Sequence, residues 1–356
     1  MPKQINPLSQ PFFARRKILW SISGADCSGG AGIAADIKTG HGLGVEVCTL
    51  ITANTVQNST SLLSVNPTSV KVLQQQVEIL IIDKVPSVVK IGLLANTDQV
   101  NWLCQCLIRL RQQMPHLKVV YDPVGQASVG GKLSTLNIDD LTPLFPLVDV
   151  ITPNLLEAKK LAQSDSSEVS LLANAIHHLG VKSIVIKGGH SDRESSAAHC
   201  IDYCLENSDS SAQKLRNYQL RSSRIETSYS HGGGCSYATA LAAFTAHGYL
   251  LRDALTLTKA FINQGLSWHK HKRAYYGAFE QLGWPTNRAY FPTVNDRTSQ
   301  KNSLLLAFKN LGISSGRKLG LYPVVDSLEW LKLLLPLGLE IIQIRLKTKL
   351  TAIWTA

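Results

Sequence analysis

Three consecutive glycines, Gly232, Gly233 and Gly234, stand before Cys235 and an Ala-rich stretch, in TSYSHGGGCSYATALAAFTAHG from Thr227 to Gly248. Glycines that open a helix leave backbone N–H groups uncovered. The positive end of the helix dipole adds to their attraction for a phosphate. Ala238, Leu241, Ala242 and Thr245 recur at the i, i+3, i+4, i+7 spacing of one helix face. Cys235 falls in the first turn, where a thiol is expected to have a lowered pKa. The same pattern also suits a tight turn feeding a buried helix, and alone it does not choose between the two.

Other segments carry the same kind of signal. SIVIK, from Ser183 to Lys187, runs into Gly188, Gly189 and His190, and a lysine with two glycines after a strand can cradle phosphate or make a plain turn. KVVYD ends at Asp122 and is followed by Pro123. An acid at the carboxyl end of a buried strand is well placed to hold a metal–phosphate group. Asn154 follows Pro153 with Glu157 three residues on, a spacing that also describes a helix N-cap. Gly24 to Gly32 (GADCSGGAG) separates the strand-like KILWSIS from a helical run carrying Asp36 and Lys38. Its glycines match neither GxxxxGK[ST] nor GxGxxG, but the position is that of a ligand-binding corner. Gln57 and Asn58 lie in a polar stretch that reads as a flap or hairpin. Their amides can read a heterocycle's edge, but from these residues alone ordinary loop solvation is the stronger reading.

These residues need a scaffold that brings strand ends together. Strand and helix patterns alternate along the chain, which implies a doubly wound α/β architecture: a mainly parallel sheet with helices on both faces. The 356 residues, 44% hydrophobic and 17% charged, suffice for such a core and an extension. The net charge of +11 suits an anionic substrate or cofactor. Its basic residues are scattered without aromatic interleaving, so nucleic acid is not the expected partner. Seven cysteines in no metal-binding spacing indicate reduced, cytoplasmic usage, with Cys104 and Cys106 in the core. The start of the chain has no apolar signal-peptide core, and no run reaches the ~18 apolar residues of a membrane span.

SISGADCSGGAGIAADIKT, TANTVQNST, VKIGLL, YDPV, TPNLLEA, IKGGH and RIETSYSHGGGCSYATAL occur in this order. The order resembles that of hydroxymethylpyrimidine/phosphomethylpyrimidine kinases of the ribokinase superfamily, over about residues 17 to 270. The resemblance implies two successive transfers from ATP, with Mg²⁺. The first makes the monophosphate of 4-amino-5-hydroxymethyl-2-methylpyrimidine, and the second makes the diphosphate for thiamine biosynthesis. It also implies site roles. Gly24, Asp36, Gln57 and Leu93 would surround the pyrimidine, with Asp36 near the hydroxymethyl group. Leu93 stands where the family often has methionine. Asp122 and Glu157 would face the metal, and Asn154, Glu157 and Lys187 the ATP phosphates. Gly232, Gly233 and Gly234 would form the anion hole, beside Cys235 in the place of a catalytic base. HGGGC replaces the family's frequent HGTGC, which removes a hydroxyl but keeps the amides. After Val124 the family's usual bulky residue is missing. A homodimer is expected from the resemblance only. A pyridoxal-type kinase and a non-catalytic pyrimidine-binding protein are the alternatives.

The kinase domain is expected to span residues 1–285, followed by a polar linker over 286–318. Residues 319–356 then resemble the start of thiamine phosphate synthase, a (β/α)₈ barrel. Gln343, Arg345 and Lys347 match its QxRxK motif. A barrel needs at least ~200 residues, so this stretch reads as a truncated fragment without synthase activity.

Overall fold

The computed structural model describes residues 16–58, 60–125, 131–190, 198–207, 215–269, 277–296, 323–337, 339 and 342–344. The chain forms two compact units, residues 1–299 and 300–356. Among the described residues no helix is long and apolar enough to cross a membrane.

The first unit is built on one sheet of ten strands, in the order β10-β9-β8-β7-β6-β5-β4-β1-β2-β3. Six central strands run parallel: β1 (Ile18–Asp26), β2 (Glu46–Gln57), β4 (Val88–Ile91), β5 (Lys118–Tyr121), β6 (Val150–Ile151) and β7 (Ser183–Ile186). The hairpin partner β3 (Leu62–Pro67) is antiparallel to β2, as the polar stretch after residue 54 led one to expect. At the other edge β8 (His199–Asn207), β9 (Leu215–Ser223) and β10 (Thr293–Asp296) add an antiparallel extension. Residues 293–296, read from sequence as linker, are therefore a sheet strand. Their polar side chains hid a segment whose pairing is made by its backbone.

Apolar side chains alternate along each strand to serve two cores. Trp20, Val89, Tyr121, Ile151 and Ile184 point into a layer with α2 (Val70–Asp83), α3 (Thr97–Gln113), α5 (Leu155–Leu161) and α6 (Val169–His178). Leu19, Val88, Val120, Val150 and Val185 point to the opposite layer, made by α7 (Gly233–Ala246) and α8 (Leu251–Trp268), with α1 (Gly32–Gly42) packed on α7. After β5 comes only a short turn of helix, α4 (Ile138–Leu141), continuing as a 3-10 helix over Thr142–Leu147. Pro143 and Pro146 remove the amides that an α-helix would use.

Helix α7 is buried all round from Ser236 to Phe244, rather than on the single face its sequence spacing suggested. Five alanines let it lie close against the centre of the sheet. Because β2 and β4 flank β1 on opposite sides, the chain reverses direction at β1. That switch point is where an open α/β sheet presents its ligand crevice.

One polar cluster interrupts this layer. Asp36 of α1 and Lys90 of β4 form an ion pair at 2.8 Å, with both side chains fully buried. Ser21 of β1 and Thr239 of α7 donate to the same carboxylate at 2.5 and 2.7 Å. All four elements around the switch point are thus tied to one anion. Asp36→Asn or Lys90→Met alone is expected to cost about 3–5 kcal/mol in urea unfolding, because the remaining charge is buried without its partner. The double change Asp36→Leu/Lys90→Met should cost clearly less than the two losses added.

The second unit contributes β11 (Val324–Val325), α9 (Leu328–Leu334) and β12 (Gln343–Ile344), with β11 and β12 parallel. Arg345 and Lys347 lie outside the described residues.

Candidate functional site

The loop leaving β1 is held by a carboxylate that sequence reading passed over. Asp26 accepts from the Ser28 amide and hydroxyl, from the Ala31 amide at 2.9 Å and from His231 Nε2 at 2.8 Å. Burial alone would raise its pKa. The hydrogen bonds from His231, Ser28 and Gln57 outweigh burial and hold it far below the usual carboxylate range. Asp26 and His231 both lie in the motifs that attracted attention, but they are 205 positions apart. No local spacing announces their contact.

This clasp lays the glycine loop against the β1 corner. Gly232 has φ +78°, and a Cβ there would meet the Gly30 carbonyl oxygen at 1.9 Å. Only glycine satisfies both conditions. The Gly233 amide is turned back to the Ser230 carbonyl at 3.0 Å, so it does not join the expected three-glycine anion hole. The amides of Gly234 and Cys235, at the start of α7, donate to no backbone acceptor among the described residues. Gly234 is exposed. The open amides at this helix start are therefore those of residues 234 and 235, one step later than the glycine run implies.

The expectation of a lowered Cys235 pKa does not hold. Desolvation pushes the thiol up to about 11, although Lys90 and an amide hydrogen bond from Gly32 pull the other way, with Asp36 and Asp122 adding to the rise. Cys235 remains a neutral thiol at pH 7.

Asp122 and Lys187, read separately in the sequence, form an ion pair. Lys187 Nζ lies 2.9 Å from Asp122 Oδ1, which also accepts from Thr152 at 3.3 Å. A Cβ added to Gly234 would lie 3.5 Å from Lys187 Nζ and 3.7 Å from Asp122 Oδ2, so both charges face the start of α7. Burial would lower the pKa of Lys187, but Asp122 and Glu157 raise it further, so the ammonium is kept charged. Asn154 caps α5, and Glu157 returns the bond to the Asn154 amide at 2.8 Å, completing a capping box. The helix-cap reading of this pair holds, and Glu157 also feels Lys187 and Asp122. Burial pushes its carboxyl up to about 7, with Asp122 adding to the rise and Lys187 opposing it.

Gly24 and Leu93 also touch. A Cβ at Gly24 would sit 2.7 Å from Leu93 Cδ2. Leu93 belongs to a small apolar patch with Ala53, Ala95 and Leu133, and Leu62, Val65 and Val124 pack on it. Gln57 stands at the end of β2, its backbone carbonyl 3.0 Å from Cys27 Sγ. Asp36 lies instead in the buried ion pair with Lys90. Its carboxylate is saturated by Lys90, Ser21 and Thr239 beneath α7, so it cannot meet a substrate as expected. Gly125, which stands where the bulky residue is missing, is exposed, and residues 126–130 lie outside the described residues. A cleft of about 280 Å³ lined by His247, Gly248, Tyr249 and Trp284 lies at the other end of α7 and takes no part.

The family model for phosphomethylpyrimidine kinase matches residues 26–279, a span holding every residue of the Asp122–Lys187 and glycine-loop clusters. A hydroxymethylpyrimidine/phosphomethylpyrimidine kinase of Haemophilus influenzae is 35% identical over 256 residues, spanning 70% of this chain and 91% of that one. A probable chloroplastic thiamine biosynthetic bifunctional enzyme of Oryza sativa is 30% identical, over 75% of this chain but 48% of its own length. Among solved structures, the pyridoxal kinase of Staphylococcus aureus in complex with AMP-PCP aligns with a TM-score of 0.65 at 25% identity, over 79% of this chain and 99% of that one. The fold is ribokinase-like. With the family model covering most of the chain and these relatives agreeing with it, the chain belongs to the phosphomethylpyrimidine kinase family.

Proposed function

We infer that this chain transfers a phosphoryl group from ATP to the hydroxymethyl oxygen of 4-amino-5-hydroxymethyl-2-methylpyrimidine, and then a second one to the resulting monophosphate. The observation that carries this is the convergence of Lys187, Asp122, Glu157 and the uncommitted amides of Gly234 and Cys235 on one helix N-terminus. Phosphoryl transfer asks mainly for positioning and charge neutralisation, and this set supplies both. The Lys187 ammonium and the two amides hold the oxygens of the transferred group as its charge redistributes. The apolar patch around Leu93, with Gln57 at its edge, holds the heterocycle. Cys235, a neutral thiol, orients the acceptor oxygen by hydrogen bonding rather than removing its proton as a resident thiolate. A hole formed by the Gly234 and Cys235 amides, with no side chain at residue 234, admits either a hydroxyl or a phosphate as acceptor.

The donor set fits Mg²⁺. Asp122 Oδ2 carries no hydrogen bond among the described residues, while Oδ1 is taken by Lys187 and Thr152. Mg²⁺ in such sites is held by one or two carboxylates and the nucleotide's own phosphates. Asp122 and Glu157 would hold it, and it would neutralise phosphate charge.

A pyridoxal-type kinase is the second reading, favoured by the structural likeness to the Staphylococcus aureus enzyme. The second unit is proposed as one β/α repeat of a thiamine phosphate synthase barrel. The parallel β11–β12 pair on either side of α9 supports this. A homodimer, as the resemblance suggests, remains part of the proposal.

The deciding assay follows products by mass from ATP, Mg²⁺ and either hydroxymethylpyrimidine or pyridoxal. Pyrimidine mono- then diphosphate is expected; turnover of pyridoxal alone would overturn the assignment. Lys187→Ala should lower kcat about 10²–10³-fold with the pyrimidine KM nearly unchanged. Glu157 keeps its proton to about pH 7 in the folded chain, against an ordinary value of 4.5. Its contribution to stability is therefore present below pH 4.5 and is lost as pH rises from 4.5 through 7. Glu157→Gln, which preserves the capping bond, is expected to flatten that part of the urea-unfolding profile; an unchanged slope would contradict the assignment.

A further inference from the structure

A second buried carboxylate stands beside Lys187 and has no part in the reading above. Asp202, on β8, is 1% exposed. Its Oδ1 accepts from the Gly188 amide at 3.0 Å and from Lys259 Nζ at 2.7 Å, and its Oδ2 from the Tyr237 hydroxyl at 3.1 Å. The three donors come from three elements: the loop after β7, α8 and α7.

Two of them touch the reaction machinery. Gly188 directly follows Lys187, and a Cβ on it would meet the Ile201 carbonyl oxygen at 2.1 Å, so this turn lies flat on β8. Tyr237 lies one turn into the helix whose first amides face the phosphate, and its ring centroid is 5.9 Å from the Lys187 ammonium. Asp202 therefore holds both the backbone that carries Lys187 and the ring against which its ammonium rests. Lys259 neutralises Asp202, so no net negative charge competes with a phosphate for Lys187. Lys259 also reaches Cys200 Sγ at 3.1 Å and is 3% exposed. A carboxylate with its donors in place inside a low-dielectric layer leaves the groups around it one arrangement.

We propose that Asp202, with Tyr237 and Lys259, is a positioning residue for phosphoryl transfer. It fixes the Lys187 ammonium relative to the N-terminus of α7. This rests on the reading of Lys187 as the phosphate-holding group. A displacement of about 1 Å at such a group is enough to slow transfer as much as 10²-fold.

The test is a double-mutant cycle on the full chain. Tyr237→Phe removes one hydroxyl and keeps the ring, and Asp202→Asn keeps the shape. Tyr237→Phe is expected to lower kcat about tenfold, and Asp202→Asn further, with the pyrimidine KM unchanged. In a Lys187→Ala background, Tyr237→Phe should change kcat less than about twofold, because its effect acts through the missing ammonium. Equal losses in both backgrounds, or unchanged kcat in Tyr237→Phe, would show a network that only supports the fold. If the unmodified chain transfers no phosphate, the proposed function fails. The cycle is then read from AMP-PCP affinity by calorimetry: a loss confined to the Lys187 background supports the positioning role, and equal losses overturn it.

Discussion

The molecule depends on a charge pair placed where an apolar residue would be the simpler choice. Asp36 and Lys90 are buried together between the sheet and α7, and neither tolerates the layer without the other. Burial works against the Lys90 ammonium, but Asp36, helped by Cys235 and Asp122, more than offsets it. Ser21 and Thr239 complete the shell, so β1, α1, β4 and α7 share one electrostatic anchor. An apolar cluster would allow α7 to slide along the sheet with little change in burial. A carboxylate with directional donors does not, and the first turn of α7 is where the open amides of Gly234 and Cys235 stand.

The same device recurs around the crevice. Asp26 ties the β1 loop to the glycine loop through His231, and Asp202 ties the β7 loop to α7 and α8. In each case a buried or nearly buried carboxylate collects donors from segments far apart in sequence. Each is also matched by a basic side chain: Lys90, His231 or Lys259. The scaffold's acids are thereby spent on internal partners. Asp122 keeps one oxygen uncommitted, and Glu157 sits in a setting that favours its neutral form. The result is a helix N-terminus flanked by a lysine and by two carboxylates, a combination suited to a phosphate with its metal ion.

Much of this was legible from residue order. Strand runs ending in Asp122, Lys187 and Gly24 gave the parallel sheet and the crevice at its carboxyl edge. The Asn154–Glu157 spacing announced a helix start that the structure contains. The glycine run announced an amide-lined helix N-terminus, and the alternation of apolar residues announced helices on both faces. These are local signals, set by backbone propensity and by period.

What tertiary structure decided was which groups are available for chemistry. The resemblance made Asp36 a substrate ligand, yet Lys90, 54 positions away, takes its charge. Cys235 looked activated by the helix start, but burial raises its pKa instead. Gly233 looked like part of the anion hole, but its amide turns back to Ser230. β10 looked like linker because its pairing uses backbone groups that side-chain patterns do not report. Sequence by itself determined the fold and the segments that meet at the site, since both follow from short-range pattern. The availability, charge state and orientation of each side chain there came only from tertiary structure, because desolvation and hydrogen bonding depend on partners that long stretches of chain bring in.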